Sequence, residues 1–234
     1  MHNQKENIYE DGKYWLKNPT LHEKDAKFKS TNFLKIINKN KIEIKNLLDI
    51  GCGSGKFLNS LFELNNQIEY TGIDLSNTII EIAKNKNNKK INFINTTFDK
   101  LNNNFTISTL NDVFEHVDDY IGFLKSLRGG SNYYYFNLPL DMNVLSVLLH
   151  RYQNYRDEFG HLHYFSKKTA LETLKYCGYK ILDFKYNISI FHQLKTQPSF
   201  NQLIALLPRI ALISINKDFG IHLLGGASLS VLCK

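Results

Sequence analysis

Cysteine is scarce in this chain of 234 residues. The three cysteines, Cys52, Cys177 and Cys233, are odd in number and lie far apart in the sequence. This distribution fits neither a disulfide framework nor a zinc-binding pattern. The cysteines therefore exclude the small disulfide-stapled domains and the common zinc modules from consideration.

Long apolar runs are also lacking. The longest, at 203–215, is interrupted by Pro208 and Arg209 and is too short to cross a bilayer. Residues 1–15 contain no apolar segment of the kind that signal peptides carry. We therefore expect a cytoplasmic protein without a transmembrane segment.

Acidic residues are fewer than basic ones, with 22 Asp and Glu against 29 Lys and Arg, a formal net charge of +7. Such a balance is compatible with a nucleic acid, a membrane surface or an anionic substrate as partner. No tract combines clustered basic residues with interleaved aromatic ones, as nucleic-acid surfaces do. We interpret most of the charge as a solvated surface, with an anionic small molecule as the alternative, and expect no nucleic-acid partner.

What the sequence does contain is an alternation of strand and helix patterns without internal repeats. Strands are predicted at 45–52, 67–76, 90–97, 105–114, 131–139, 179–188 and 227–234, and helices at 54–66, 77–86, 115–127 and 166–179. The alternation predicts a doubly wound α/β fold with a mainly parallel, seven-stranded sheet and flanking helices. Residues 1–40 are predicted to form a helical cap. Residues 41–234 are predicted to form the main domain, with lid insertions at about 138–165 and 191–220.

The first strand runs into the stretch LLDIGCGSGKF, with Gly51, Gly53 and Gly55 at the turn into the first helix. Glycines at this turn let a ligand approach the backbone closely, where the helix presents free N–H groups. Asp74 follows 19 residues after Gly55, at the end of the second strand, where an acid binds the ribose hydroxyls of a nucleotide cofactor. The spacing predicts a site for a cofactor that contains a nucleoside.

Asp49 indicates which cofactor is expected. Dinucleotide sites favour G-x-G-x-x-G, but Lys56 stands where the last glycine would be, and Asp49 would repel a pyrophosphate. An acid at this position suits a cationic ligand such as S-adenosylmethionine, which carries a sulfonium and an ammonium group. An NAD-dependent oxidoreductase is therefore the disfavoured alternative.

These motifs resemble those of the class I S-adenosylmethionine-dependent methyltransferases. LLDIGCGSGKF and TGIDLS are similar to the first two family motifs, and NDVFEHVDD and GHLHYFSKKTALETLKYCGYKILDF resemble stretches of the small-molecule branch, which includes quinone-type enzymes. The resemblance implies a Rossmann-like fold with an antiparallel last strand. It implies that the cofactor's methionine part, ribose and adenine contact Asp49, Gly51, Cys52, Gly53, Gly55, Asp74, Leu75, Thr97, Phe98 and Asn111. The family often has Asp where Thr97 stands.

Histidines are the candidate catalytic residues. His161 and His163 share one face of an extended segment, and one of them is expected to act as a general base or to anchor the substrate. The alternative is that both brace the loop. The resemblance to quinone-type enzymes adds His116 on the substrate side.

Asp112, Glu115 and His116 would share a helix face if this segment is helical, and could then hold a divalent cation. We prefer a helix cap at Asp112 with a solvated Glu115, and so predict no metal.

The expected substrate pocket combines the N-terminal cap with the two lids. The lids and cap are rich in aromatic residues, and Arg151, Arg156 and Lys195 could contact an anion. The favoured function is methyl transfer to a small molecule, at an oxygen of a sugar, nucleotide-linked or quinone-like acceptor. The alternatives are an RNA methyltransferase, which the NDVF motif disfavours, a NAD-dependent oxidoreductase, and an inactive cofactor-binding subunit. The oligomeric state stays open.

Overall fold

The computed structural model describes residues 25–101, 104–188 and 200–234. The strands are β1 (Asn46–Ile50), β2 (Glu69–Asp74), β3 (Asn92–Asn95), β4 (Phe105–Asn111), β5 (Ser131–Pro139), β6 (Ile181–Ile188) and β7 (Ala227–Cys233). The α-helices are α1 (Ala26–Lys39), α2 (Lys56–Leu64), α3 (Asn77–Lys86), α4 (Tyr120–Ser126), α5 (Val144–Leu148), α6 (Arg151–Asn154), α7 (Lys167–Tyr176), α8 (Phe200–Ile215) and α9 (Lys217–Leu224). Short 3₁₀ turns occupy Phe98–Lys100 and Phe114–His116, and a π-helical turn occupies Tyr155–Phe159.

The strands form one seven-stranded sheet in the order β3-β2-β1-β4-β5-β7-β6. The pairs β1–β2, β1–β4 and β2–β3 are parallel, and β7 is antiparallel to β6. The predicted fold class is thereby confirmed. The strand order reverses between β1 and β4, and in such sheets the crevice at the carboxyl ends of those two strands is where ligands bind.

The first of two compact units contains the described residues up to Asn111, together with Ser126–Tyr135. Helix α1 packs into its core, because the Phe33 ring meets the edges of Phe57 and Tyr135 at centroid distances of 5.9 and 5.0 Å. The apolar pattern of β1 is continuous because both faces are covered, and Leu47 and Leu48 are fully buried. The boundary between a cap and a main domain stays a prediction, and residues 1–24 lie outside the described part.

The second unit contains Asp112–Lys125 and the described residues from Phe136 onward. Its core is built around Phe136, whose ring meets the edges of Phe114 and Tyr179 at 6.1 and 5.1 Å. Helix α7 begins as predicted, since Ser166 and Thr169 form a reciprocal capping box. Gly178, which follows the helix, has the positive φ of 89° expected of a stop signal.

The segment after β4 differs from its prediction. A helix was expected over 115–127, but the chain forms the 3₁₀ turn Phe114–His116, and α4 begins only at Tyr120. The break lies at Val117, whose backbone is extended with φ −91° and ψ 126°. Asp112 has a left-handed φ of 55°, so it cannot belong to one helix with Glu115 and His116.

The apolar run at 203–215 lies within helix α8, which continues through Pro208. Neither α8 nor any other helix in the described ranges is long and apolar enough to cross a membrane.

Candidate active site

The glycine turn after β1 has a backbone that L-residues rarely adopt. Gly51, Gly53 and Gly55 have φ values of 70°, 51° and 73°. The N–H groups of Gly51 and Cys52 both donate to the carbonyl oxygen of Ile73 on β2, each at 2.9 Å. Helix α2 then begins at Lys56, so its free N–H groups border the turn. The predicted cofactor corner is thus formed by the backbone itself.

Gly55 is required for two separate reasons. Besides its positive φ, a Cβ atom at this position would lie 2.4 Å from the Phe93 ring and 2.9 Å from Asn87 Nδ2. Asn87 in turn donates from Nδ2 to the carbonyl oxygen of Ser54 at 2.7 Å. Phe93 and Asn87 therefore pack against the glycine turn, and a side chain at position 55 would not fit between them and the backbone.

Asp49 lies on β1 beside its register partner Thr109 on β4. Its Oδ1 atom accepts hydrogen bonds from Thr109 Oγ1 at 2.6 Å and from Asn111 Nδ2 at 3.3 Å. The residue is only 2% exposed. Burial raises the pKa of Asp49 to about 7, although the hydrogen bonds from Thr109 and Asn111 oppose the shift. A cation bound beside this carboxylate would reverse that effect.

Asn111 provides a direct test of whether a cationic ligand fits here. Its Oδ1 atom is buried and accepts no hydrogen bond from the described residues. A buried amide oxygen without a donor is costly, by about 1–3 kcal/mol. The ammonium group of S-adenosylmethionine is a donor of the required kind, next to the Asp49 carboxylate, so the residues present fit this cofactor.

Asp74 ends β2, and its carboxylate contacts the backbone of the same corner. Its Oδ2 atom accepts from the Gly53 N–H and its Oδ1 atom from the Ser76 N–H, both at 3.0 Å. Burial raises the pKa of Asp74, and the backbone N–H groups oppose the shift. Each carboxylate oxygen retains a second lone pair, which can accept from a ribose hydroxyl. The side chain therefore holds the glycine turn and can still bind a ribose.

The remaining predicted cofactor residues occupy different environments. Leu75 is 58% exposed, although it is a large apolar side chain. Phe98 is buried and packs so closely on Gly130 that a Cβ there would lie 2.2 Å from its ring. Thr97 precedes the 3₁₀ turn that contains Phe98. Cys52 is buried, and burial raises the pKa of its thiol well above the usual range, so it is no nucleophile.

The second unit brings two of the three predicted histidines together. The rings of His116 and His161 lie 4.9 Å apart, edge to face. Their segments are joined by backbone, since the N–H groups of Leu162 and His163 both donate to the carbonyl oxygen of Glu115, at 2.9 and 3.1 Å. Ligand atoms of Glu115, His116 and His161 all lie within 4.8 Å of one another. These three side chains are called the Glu–His–His cluster below.

Each histidine ring is oriented by a hydrogen bond. His116 Nδ1 donates to the carbonyl oxygen of Gly160 at 3.1 Å, and His161 Nδ1 lies 2.6 Å from Asp141 Oδ2. His163 instead donates from Nε2 to the carbonyl oxygen of Val117 at 3.0 Å and packs against Tyr120. Sequence spacing placed His161 and His163 on one face, but only His161 joins the cluster.

A family model described as a methyltransferase domain matches residues 21–183, well over half of the chain. The chain belongs to this methyltransferase family. Its membership confirms, at the level of the family, the predicted enzyme class and S-adenosylmethionine as its cofactor. No curated protein matches the chain at a significant level.

Solved structures share the fold of this methyltransferase. It is similar to a SAM-dependent methyltransferase from Archaeoglobus fulgidus, with 18% identity, 88% of this chain and 94% of that chain covered, and a TM-score of 0.56. It is also similar to the magnesium protoporphyrin IX methyltransferase of Synechocystis PCC 6803 with bound SAH. The identity is 12%, the match covers 88% of this chain and 82% of that chain, and the TM-score is 0.57. For a cyclopropane synthase of Mycobacterium tuberculosis the identity is 14%, the match covers 86% of this chain and 84% of that chain, and the TM-score is 0.58. At such identities the likeness shows the fold alone.

One prediction about the methyltransferase's second unit is wrong. Asp112 was expected to cap a helix beside a solvated Glu115, but Glu115 is fully buried at 0% exposure. The Asp112 side chain contacts Asn137 instead, since its Oδ1 atom accepts a hydrogen bond from Asn137 Nδ2 at 3.2 Å. The carboxylate near His116 is therefore that of Glu115, and the second histidine comes from the distant GHLHYFS motif.

Several polar residues that orient side chains in the methyltransferase were not predicted from the sequence. Thr109 orients Asp49, and Asp141 orients His161. Asn137, at the end of β5, accepts from Asn187 Nδ2 at 3.0 Å and from Ser228 Oγ at 3.1 Å. Polar residues inside otherwise apolar strand patterns were the available signal, because a buried strand position tolerates a polar side chain only with a partner.

Proposed function

We propose that the chain transfers a methyl group from S-adenosylmethionine to an oxygen atom of a small-molecule acceptor, of the sugar, nucleotide-linked or other anionic kind. The observation that carries this proposal is the pairing of the buried Asp49 carboxylate with the unsatisfied Asn111 oxygen, beside the glycine turn. That combination favours a ligand with a positive charge and N–H donors over a pyrophosphate.

The cofactor supplies a sulfonium whose methyl group is displaced in line, with a neutral leaving group. The chain's own contribution is chiefly to position the reactants, which can supply on the order of 7–11 kcal/mol. In this proposal Asp49 and Asn111 hold the methionine end, and Asp74 holds the ribose hydroxyls. Leu75 covers the adenine, because an exposed leucine beside a ribose-binding acid gains from burial under a ring.

At the adenine edge, the two predicted residues Thr97 and Phe98 have different roles in this proposal. Thr97 is half-buried and can face a ligand. Phe98 is already packed on Gly130 and would contribute by supporting Thr97 from behind.

The histidines are proposed to serve the acceptor. An oxygen nucleophile with a high pKa gains roughly 10²–10⁴-fold from proton removal. His161 with Asp141 has the arrangement of a base held by a carboxylate, and His116 contacts it. His163 has its Nε2 proton committed to Val117, so in the neutral ring only Nδ1 could accept a proton.

The anionic character of the acceptor rests on charge and aromatic surroundings. Arg151 and Arg156 lie in the stretch that also carries Tyr152 and Tyr164, whose rings are 4.5 Å apart. Arginine is well suited to bind phosphate or carboxylate groups, because its planar guanidinium presents paired N–H donors. Lys195, also predicted for this pocket, lies outside the described residues.

The test compares three ligands by their effect on thermal unfolding of the full chain. S-adenosylhomocysteine should raise the unfolding temperature, whereas NAD and a short RNA should not. A shift produced by NAD, or by RNA alone, would contradict the proposal.

The ribose assignment needs a sharper test, because Asp74→Ala also removes the support of Gly53. We therefore compare S-adenosylhomocysteine with its 2′-deoxy analogue on both proteins. The wild type should bind the deoxy analogue more weakly, and Asp74→Ala should bind the two ligands equally weakly. Equal discrimination by both proteins would remove Asp74 from the ribose site.

A further inference from the structure

The Glu–His–His cluster has the donor set of a transition-metal site. Two imidazoles and a carboxylate are ligands that divalent first-row metals accept, and imidazole favours zinc and its neighbours over magnesium or calcium. All three side chains belong to the second unit, and their ligand atoms lie within 4.8 Å of one another. In a tetrahedral zinc site with bonds near 2.0–2.1 Å, ligand atoms are about 3.3 Å apart. The ligand atoms therefore need to approach one another by at most about 1.5 Å.

The hydrogen bonds of the two rings select the atoms that would coordinate. A carbonyl oxygen can only accept, so the Gly160 contact requires a proton on His116 Nδ1. The Asp141 carboxylate likewise accepts from His161 Nδ1. In a neutral imidazole with the proton on Nδ1, Nε2 carries the lone pair. Both rings are thus held in the tautomer that coordinates through Nε2.

Asp141 supplies the outer support that metal-binding histidines commonly have. A carboxylate that accepts the second ring N–H fixes the orientation of the ring and raises its basicity toward the metal. The Gly160 carbonyl does the same for His116. Glu115 is fully buried, so its carboxylate is shielded from bulk water where it meets the two rings.

We propose that Glu115, His116 and His161 form a binding site for one divalent transition-metal cation, of which Zn²⁺ is the representative. The three protein ligands leave a fourth position for water or for an oxygen of a bound molecule, the arrangement of catalytic zinc sites. The cation site stands independently of the proposed methyl transfer. If both hold, the cation can lower the pKa of an acceptor hydroxyl, and His116 and His161 then act as ligands instead of as bases.

The binding test uses the full chain without a purification tag, freed of metal by a chelator and titrated with Zn²⁺ in a calorimeter. The wild type should bind one Zn²⁺ per chain, and Mg²⁺ should give no comparable heat. His161→Ala and Glu115→Gln should each lose the site. Asp141→Asn, which keeps all three ligands, should weaken binding by about 10- to 100-fold.

The matched control is His163→Ala, which removes a neighbouring histidine outside the cluster and should leave Zn²⁺ affinity unchanged. S-adenosylhomocysteine binding, followed by thermal shift, checks that each variant remains folded and separates this proposal from the cofactor assignment. No Zn²⁺ binding by the wild type would overturn the site. Equal losses in His163→Ala and His161→Ala would overturn it as well, since they would indicate binding to surface histidines.

Discussion

Replacing Asp49 by Asn should make the protein more stable, and the gain should depend on pH. Asn has the same shape and can keep accepting from Thr109 and Asn111 through its oxygen. It cannot ionise, however, so it avoids the cost of a negative charge that is only 2% exposed. The variant therefore isolates the electrostatic cost of a carboxylate at this position.

The magnitude follows from the pKa. Burial raises the pKa of Asp49 from its usual 3.8 to about 7. Between these values the unfolded chain loses the proton and the folded chain keeps it, so the free energy of unfolding falls by roughly 1.4 kcal/mol per pH unit. This contribution is full below pH 3.8 and is lost by the time the pH passes 7. From about pH 5 to about pH 8, the stability advantage of Asp49→Asn over the wild type should grow by about 3 kcal/mol.

The assay is urea denaturation of both proteins at the two pH values, without cofactor. The quantity of interest is how much the difference in free energy of unfolding between the two proteins changes from the lower pH to the higher. Effects of the substitution that do not depend on pH, and titration elsewhere in the molecule, cancel in this comparison. Glu69→Gln, which removes an exposed acid at the start of β2, is the control and should show little change. If the advantage of Asp49→Asn is the same at both pH values, Asp49 does not titrate as the structure indicates.

Three further predictions concern the same corner and one helix. First, the affinity for S-adenosylhomocysteine, whose ammonium group is proposed to bind beside Asp49, should rise by up to about tenfold from pH 6 to 8, since the ionised fraction of Asp49 rises from about 0.1 to about 0.9; calorimetry should show no such rise in Asp49→Asn. Second, Gly55→Ala should lose about 2 kcal/mol or more in urea denaturation, because its φ is 73° and the Cβ would meet Phe93 at 2.4 Å; an unchanged midpoint would contradict this. Third, Ser166→Ala should cost about 1 kcal/mol through the lost cap of α7, and Ser166→Thr should restore most of it.

The parts of the fold that could be predicted are those in which local and tertiary preferences agree. The glycine turn could be predicted because its backbone, with positive φ at three positions after a buried strand, is one that glycine adopts readily. Ser76 caps α3 by accepting from the Ile79 N–H, and its position in the sequence already indicated this. Asp74 could be assigned because parallel strands end at one edge of a sheet, which turns sequence spacing into proximity.

The Glu–His–His cluster could not be predicted, because its members meet through tertiary structure. His116 and His161 are 45 positions apart, and the backbone contacts to the Glu115 carbonyl bring them together. Helical spacing grouped Asp112 with Glu115 and His116, whereas the left-handed backbone at Asp112 removes that residue from the group. The cluster therefore contains His161 in place of the predicted Asp112.

Asp49 and Glu115 are two buried acids, one in each unit, that raise the same energetic question. Both are buried, and an apolar residue of similar size at such a position is often neutral or stabilising when no ligand is bound. At Asp49 burial raises the pKa to about 7, so holding the negative charge there costs stability when no cation is bound. A bound cation offsets such a cost only while it is bound, so each acid makes stability depend on a ligand. Stabilisation by S-adenosylmethionine should therefore weaken in Asp49→Asn, and stabilisation by Zn²⁺ should disappear in Glu115→Gln.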